Sequence, residues 1–342
     1  MSVGAAGSAV PWREVNASTF SATVGTAAAQ LDLQPLVVEK DYWVCQALGA
    51  MAARCPGALV FKGGTSLEKL RLIQRLSEDL DLLVVTEFAS KSAPKAAMRQ
   101  LCSIAAEAVG QTGDDVDRGW SRGSPGSYSR SQYIKPPLTF EPLASTALAD
   151  PGQVLIELGQ SGGGHPSFDA PVTSLLARQL QEVGGVDIDL YPDLRPFSIA
   201  VLHPGRTLIE KLLRMNSFAV AASEEGRGQR GGWSRIGRQF YDVWALLESP
   251  QVLEFLADEE TVVRVLNDCA RVSAQFSGDA PVPAGGFAAS GVFTGRGVDM
   301  GRLRREHDLA MEQLYYGPRP GPTFEAVLER VAAHRHLLDV GN

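Results

Sequence analysis

The sequence predicts an α+β protein in which a mixed sheet with helices is followed by a mainly α-helical C-terminal half. One observation behind this class is a series of short apolar runs typical of strands, at residues 59–61, 79–85, 138–140 and 154–158. Another is a change at Pro204-Gly205, beyond which apolar residues recur mainly at helical spacing. We therefore expect two domains, residues 1–204 and 205–342, with residues 1–16 as a loose tail.

Periodicity and breaker residues place the helices. Pro56-Gly57 ends one predicted helix, Thr65 or Ser66 caps the next, and the glycine- and serine-rich stretch 112–133 is predicted to be irregular. The predicted helices cover residues 18–31, 37–53, 65–74, 93–111, 172–183, 207–221, 236–247, 252–275, 301–314 and 324–340.

Composition and charge exclude several classes of protein. The chain has 342 residues, a formal net charge of −7 and 44% hydrophobic residues, which suits a globular core but not a protein that coats polyanions. The four cysteines are far apart, which argues against a zinc site and for a reducing compartment. Because no signal-peptide pattern or membrane-length apolar run is present, we expect a cytoplasmic protein without membrane contact.

A glycine pair separates a predicted strand from a predicted helix in the segment Phe61-Lys62-Gly63-Gly64-Thr65-Ser66. Since glycine lacks a Cβ, its backbone can approach a phosphate closely, and the first N–H groups of the helix are unpaired. We therefore predict that Gly63, Gly64, Thr65 and Ser66 bind a nucleotide. Alone, a glycine pair is more often a simple turn.

Two aspartates follow in the segment Ser77-Glu78-Asp79-Leu80-Asp81. Because Asp79 and Asp81 are two residues apart on a predicted strand, their carboxylates leave the same face, as does Ser77. Carboxylate oxygens suit Mg²⁺, and such a pair can bridge two ions. Alone, the pair is usually a solvated strand end. After the order strand, glycine pair and helix, and before the apolar run 82–85, it predicts phosphoryl or nucleotidyl transfer.

These motifs resemble the AbiEii/MenT nucleotidyltransferases, toxins of bacterial toxin–antitoxin and phage abortive-infection systems in the DNA-polymerase-β-like superfamily. The resemblance spans about residues 37–342. It rests on Glu39-Lys40-Asp41-Tyr42-Trp43, the glycine-pair segment with Leu67 and Lys69, Arg75-Leu76 with the aspartate segment, Glu210-Lys211, Arg238-Gln239-Phe240-Tyr241-Asp242-Val243, Tyr315-Tyr316-Gly317 and Pro322-Thr323-Phe324.

The resemblance implies a polymerase-β-like fold and a Mg²⁺-dependent transfer of a nucleoside monophosphate from an NTP. The implied acceptor is the 3′ end of tRNA, whose modification blocks translation. The implied partners are an NTP (CTP, UTP or GTP), tRNA and a cognate antitoxin, with two Mg²⁺ ions, or Mn²⁺, as cofactor. By matching motif, Ser77, Asp79, Lys211 and Asp242 would be essential, and Thr65 would lie near the nucleotide.

Three residues of the helical half join the predicted site. Lys211 supplies an ammonium that can neutralise the leaving phosphates, the alternative being a solvated helix lysine. Arg238 and Asp242 are four residues apart on one helix face, with Arg238 as a predicted nucleotide ligand and a surface salt bridge as the alternative. The family often has histidine after that arginine. This chain has Gln239, so no role is assigned there.

A third carboxylate is expected beside the two aspartates. Glu157 interrupts the apolar run 154–158, where an unpaired charge is costly, so we predict it as a metal ligand. The alternative is Asp187 or Asp189 in a second Asp-x-Asp, which lacks a preceding glycine pair.

Arginines and aromatic residues suggest contact with nucleic acid. Those between residues 119 and 133 are candidates for stacking on single-stranded bases, with disorder of this stretch as the alternative. A further group is predicted to hold the phosphates of the acceptor, with an exposed loop of scattered charge as the alternative: Arg206, Arg214, Arg227, Arg230, Arg235 and Arg238.

Two other functions stay open. The first is a nucleotidyltransferase that modifies a protein hydroxyl or a small molecule, which the low overall basicity permits. The second is a non-catalytic nucleotide- or antitoxin-binding module. The complete Asp-x-Asp and Lys211 argue against this second alternative.

Overall fold

The computed structural model describes residues 10–15, 19–85, 93–111, 119–122, 128–141, 150–160, 163–223, 232–276 and 280–340. Its strands are β1 Leu59–Lys62, β2 Leu80–Val84, β3 Trp120–Arg122, β4 Ser129–Ile134, β5 Val154–Gly159, β6 Ser167–Val172 and β7 Phe197–Leu202. Its helices are α1 Trp12–Val15, α2 Phe20–Leu31, α3 Pro35–Arg54, α4 Gly63–Lys69, α5 Ala93–Ala108, α6 Leu175–Glu182, α7 Pro204–Ser223, α8 Gly232–Leu246, α9 Pro250–Ala257, α10 Glu259–Phe276, α11 Gly291–Thr294, α12 Met300–Leu314, α13 Phe324–Ala333 and α14 Arg335–Leu338.

The strands form one mixed sheet in the order β3-β4-β5-β2-β1-β7-β6. β2 runs antiparallel to β1 and parallel to β5, while β4 runs antiparallel to both β5 and β3. The predicted α+β class, a mixed sheet followed by helices, is confirmed. Leu80, Leu82, Ile156 and Leu158 project from one face of β2 and β5 and are at most 1% exposed, so this face is core.

Two compact units divide the chain. The first comprises Met1–Leu70, Leu76–Gln160 and Phe168–Val201 and holds nearly all of the sheet. The second comprises Arg71–Arg75, Ser161–Ser167 and Leu202–Asn342 and holds α7 to α14. The chain therefore contributes five residues to the second unit immediately before the aspartate segment.

Two predicted elements differ from the structure. The helix after the glycine pair ends at Lys69 and not at residue 74, and Arg71 follows with a left-handed φ of 58°. Residues 138–140 form no strand, because the Thr139 and Phe140 N–H groups donate to the Glu39 carboxylate. The second Asp-x-Asp begins a 3₁₀ turn, Ile188–Leu190.

Other differences concern breaks and polar strands. The predicted helix 252–275 is two helices, because Asp258 separates them and accepts the N–H of Thr261 at 3.1 Å. The predicted helix 324–340 is likewise interrupted at His334. The stretch predicted as irregular contains β3 and β4, although residues 112–118 and 123–127 lie outside the described part. Among the described residues, no helix is long and apolar enough to cross a membrane.

Candidate active site

The glycine pair forms a turn that fits closely against the second aspartate. Gly63 has a φ of +79°, a backbone conformation that L side chains rarely adopt. A Cβ built on Gly63 would collide with a carboxylate oxygen of Asp81. Only glycine therefore lets β1 turn into α4 while Asp81 keeps this position, and the two predicted motifs are in direct contact.

The two hydroxyls after the glycine pair hold the turn. Thr65 and Ser66 are at most 1% exposed. Thr65 Oγ1 donates to the Asp79 carbonyl at 2.6 Å, and Ser66 Oγ donates to the Gly63 carbonyl at 2.9 Å. Both hydroxyls, which we predicted as nucleotide ligands, thus fix the backbone of the glycine pair and of Asp79.

Side chains of the aspartate segment alternate in burial. Ser77, Asp79 and Asp81 are partly exposed, whereas Glu78 and Leu80 between them are buried. Glu78 pairs with the buried ammonium of Lys40, and this ion pair holds the buried side of the segment in place. The accessible side therefore presents one hydroxyl and two carboxylates in a row.

Asp81 belongs to a row of register neighbours that crosses five strands. Lys62 pairs with Asp81, Asp81 with Glu157, Glu157 with Ser131, and Ser131 with Trp120. Paired residues on neighbouring strands project from the same face, so these five side chains lie side by side.

Glu157 therefore stands beside Asp81, as predicted for a third acid, but not for the reason we gave. The side chain is exposed, so its charge is solvated and needs no ion to compensate burial. Within the described residues, no group of three His, Cys, Asp or Glu side chains is arranged to hold a metal ion. The site is thus an open carboxylate edge and not a closed metal cage.

Tyr133 lies on the same face, two residues from Ser131. Its hydroxyl donates to an Asp150 carboxylate oxygen at 3.0 Å. Burial, that hydrogen bond and the charges of Asp150, Asp79 and Glu157 raise the pKa of Tyr133 to about 12. The phenol therefore stays protonated at neutral pH, and it lies within electrostatic reach of two of the predicted acids.

Buried ion pairs connect α4 to α3 and α6. Lys69 at the end of α4 pairs with Asp41 of α3 and, at 2.9 Å, with Glu68. Glu68 also pairs with Arg178, and the second Asp41 oxygen accepts the Leu175 N–H at 2.6 Å. Because leaving any one of these buried charges unpaired is costly, the network fixes α4 against α3 and α6.

A second cluster lies in the second unit, around Asp242. This carboxylate is fully buried and accepts two hydrogen bonds of 2.6 Å from Arg75, and Lys211 Nζ lies 2.8 Å from it. Burial alone would raise the pKa of Asp242, but the charges of Arg75 and Lys211 lower it to about 2. Burial lowers the pKa of Lys211, against the opposing effect of Asp242.

The comparison with known families decides the affiliation. Residues 47–330 match the model of a family described as nucleotidyl transferase AbiEii toxin, type IV TA system. This match covers most of the chain. The protein belongs to the AbiEii nucleotidyltransferase toxin family. A search of curated proteins finds no match.

The open edge of this AbiEii protein suits Mg²⁺. Mg²⁺ is usually bound by one or two carboxylates together with substrate phosphates, not by an all-protein cage. The paired carboxylates of Asp79 and Asp81, both partly exposed and with Glu157 adjacent, match that donor set.

The predicted site residues of the helical half of the AbiEii chain differ from one another in burial and in their partners. Asp242 is paired with Arg75 and Lys211, so neither a surface salt bridge nor a solvated lysine describes this cluster. Arg206 is buried, with Glu210 and Asp268 as partners at 3.2 and 3.0 Å. Arg214 and Arg235 are exposed, Arg238 is partly exposed, and Arg227 and Arg230 lie outside the described residues.

Sequence reasoning assigned no role to two buried charged residues and did not place Trp120 on a strand. Arg75 and Lys40 had no assigned role, although charged residues inside buried motifs were a usable signal because such charges need partners. Trp120 was grouped with an irregular stretch, because β3 and β4 are polar and lack apolar alternation.

Proposed function

We propose that this AbiEii-family protein transfers a nucleoside monophosphate from an NTP to the 3′ end of tRNA in the cytoplasm, with Mg²⁺, and so blocks translation. The observation that carries the proposal is the packing of Gly63 against Asp81, beside the accessible row of Ser77, Asp79 and Asp81. A turn without Cβ next to paired carboxylates suits a metal-bound triphosphate.

In the proposed step, the acceptor hydroxyl oxygen forms a bond to the α-phosphorus of the NTP. The bond between the α-phosphorus and the bridging oxygen breaks, pyrophosphate leaves with the electron pair, and the hydroxyl proton passes to solvent. Asp79 and Asp81, with Glu157 beside them, would hold two Mg²⁺ or Mn²⁺ ions, and Ser77 and the Gly63-Gly64 backbone would contact phosphate. Bound Mg²⁺ supplies charge neutralisation at the phosphate oxygens and activates the hydroxyl.

The cluster in the second unit is proposed as the second essential group. The family resemblance implies Lys211 and Asp242 as essential, and Arg238 is a predicted nucleotide ligand. Arg75 and Asp242 hold the Lys211 ammonium in one position through the ion pair at 2.8 Å. A lysine held in this way loses little further conformational entropy when it binds phosphate oxygens.

Labelled NTPs test the acceptor directly. The protein is incubated with Mg²⁺, deacylated tRNA and each NTP in turn, labelled at the α-phosphate. We expect label on tRNA, and none after periodate oxidation of the 3′-terminal ribose. Asp79→Asn should abolish transfer, whereas Asp189→Asn, in the exposed second Asp-x-Asp, should leave it unchanged.

Other outcomes would replace parts of the proposal. Label on a protein or an added small molecule, with none on tRNA, would change the acceptor. Nucleotide binding without transfer to any acceptor would indicate a non-catalytic module. Co-expression with the neighbouring gene, followed by co-purification, tests the antitoxin partner that the type IV description implies.

A further inference from the structure

Trp120 is the most exposed large aromatic side chain on the face that carries the proposed site. The indole is 47% exposed, although it projects from the same sheet face as Asp81 and Glu157. Tryptophan is enriched at contact surfaces, because its ring is largely apolar while its indole N–H can donate a hydrogen bond. Trp120 lies at one end of the five-strand row that contains Asp81 and Glu157.

The chemical character of the side chains changes along the row. Lys62 supplies a cation at one end, Asp81 and Glu157 supply carboxylates, Ser131 a hydroxyl, and Trp120 an indole. At about 4.8 Å per strand, the Trp120 backbone lies roughly 14 Å from that of Asp81 across the sheet. Both side chains project from the same face, with Glu157 and Ser131 between them in the row.

Tyr133 projects from the same sheet face as Ser131, two residues along β4. Its ring centroid lies 6.0 Å from that of Trp120, with an interplanar angle of 46°. The same phenol experiences the charges of Asp79 and Glu157. An aromatic strip, defined here as Trp120 and Tyr133, therefore begins next to the acids.

We propose that the aromatic strip is the subsite for the nucleobase of the NTP, which stacks on the Trp120 indole while its triphosphate lies along the acids towards Lys62. This inference rests on the proposed function and names the base-binding half of that site. A free nucleobase has two π faces and needs a planar, partly exposed partner, which the indole provides. Because the strip adjoins the acids, the base it reaches belongs to the nucleotide bound there.

Stacking is tolerant of base identity, since every base has a π face. We therefore expect Trp120 to contribute to the affinity for all four NTPs and to add little discrimination among them. Removing one such stack should weaken binding roughly tenfold to a hundredfold.

The test compares two ligands on matched variants. Dissociation constants are measured by equilibrium dialysis with Mg²⁺ for the α,β-methylene analogues of the four NTPs and for ribose 5-triphosphate, which has no base. The variants are Trp120→Leu, which removes the π face, and Trp120→Phe, which keeps one. The control is Phe168→Leu, at a 36% exposed aromatic on β6 at the opposite edge of the sheet.

We expect Trp120→Leu to weaken the four analogues roughly tenfold to a hundredfold without changing the affinity for ribose 5-triphosphate. Trp120→Phe should lie near the wild type, and Phe168→Leu should equal it. Equal affinity of wild type and Trp120→Leu for the analogues would overturn the inference, as would an equal loss for the ligand without a base. If the wild-type protein transfers label to tRNA in either of these cases, only the subsite fails and the proposed function stands.

Discussion

At the scale of single residues, the partners of Asp242 determine the charge state of this buried carboxylate. The family motif pointed to Asp242 and Lys211, and helix spacing suggested Arg238 as the partner. The structure gives the carboxylate a bidentate partner 167 positions away along the chain, Arg75. Spacing along a helix can predict only local partners, so a contact of this kind could not be predicted from one sequence.

Arg75→Met should destabilise the protein strongly, because Asp242 would keep its buried charge with only Lys211 to balance it. Breaking a buried ion pair in this way costs about 3–5 kcal/mol. Urea unfolding of the two proteins measures the loss. The matched control is Arg264→Met, whose pair with Glu260 is exposed (67% and 84%), and which should change stability by less than about 0.5 kcal/mol. Equal effects of the two substitutions would contradict the account.

At the scale of elements, the turn from β1 to α4 was predictable and the polar strands were not. Gly63-Gly64 between an apolar run and a helical pattern predicted the turn, and the structure shows that this turn packs against Asp81. β3 and β4 consist largely of serine, arginine and aromatic residues, so they show no apolar alternation along the sequence. Their pairing depends on β5, which is a property of the assembled sheet.

Gly63→Ala tests the contact between the glycine pair and the acids. Gly57→Ala is the matched control, because Gly57 also has a positive φ, +70°, but nothing lies within 4 Å of its added Cβ. Both variants incur the left-handed backbone penalty of about 1–2 kcal/mol. Only Gly63→Ala also displaces the Asp81 carboxylate, so it alone should lose most nucleotidyl transfer.

Unfolding free energies measure the backbone penalty, and initial rates of label transfer measure the effect of displacing the Asp81 carboxylate. Gly63→Ala should be less stable than Gly57→Ala and much less active, while Gly57→Ala should retain the wild-type rate. Similar activity in both variants would mean that the Gly63 turn does not set the position of Asp81.

At the scale of the whole molecule, the class of fold and the order of motifs were predictable, because they depend on periodicity along the chain. Predictions failed where distant residues meet. Glu39, whose carboxylate accepts the N–H groups of Thr139 and Phe140, replaces a predicted strand with a bound loop. Arg71–Arg75 belong to the second unit, although residues 76–160 belong to the first.

Stability of the whole chain should fall on mild acidification. Burial lowers the pKa of both His203 and His307 below the ordinary value. The unfolded chain therefore takes up protons near pH 6.5 that the folded chain does not. The stabilisation is full above about pH 6.5 and is lost as the pH falls through that value towards the folded pKa, by at most about 1.4 kcal/mol per histidine and pH unit.

Unfolding free energies between pH 8 and pH 5.5 check this dependence. His307→Gln, at a fully buried imidazole, should reduce the slope of stability against pH even if it lowers stability throughout. A slope that is unchanged in this variant would show that His307 is not the group responsible.

The position of the label within the NTP tests the central claim, nucleotidyl transfer at the Asp79–Asp81 edge, most directly. We predict that label in the α-phosphate becomes attached to the acceptor, while label in the γ-phosphate leaves in pyrophosphate. Asp81→Asn should abolish both, and Asp189→Asn should abolish neither. Attachment of the γ-label to the acceptor, or transfer by Asp81→Asn at the wild-type rate, would contradict the account.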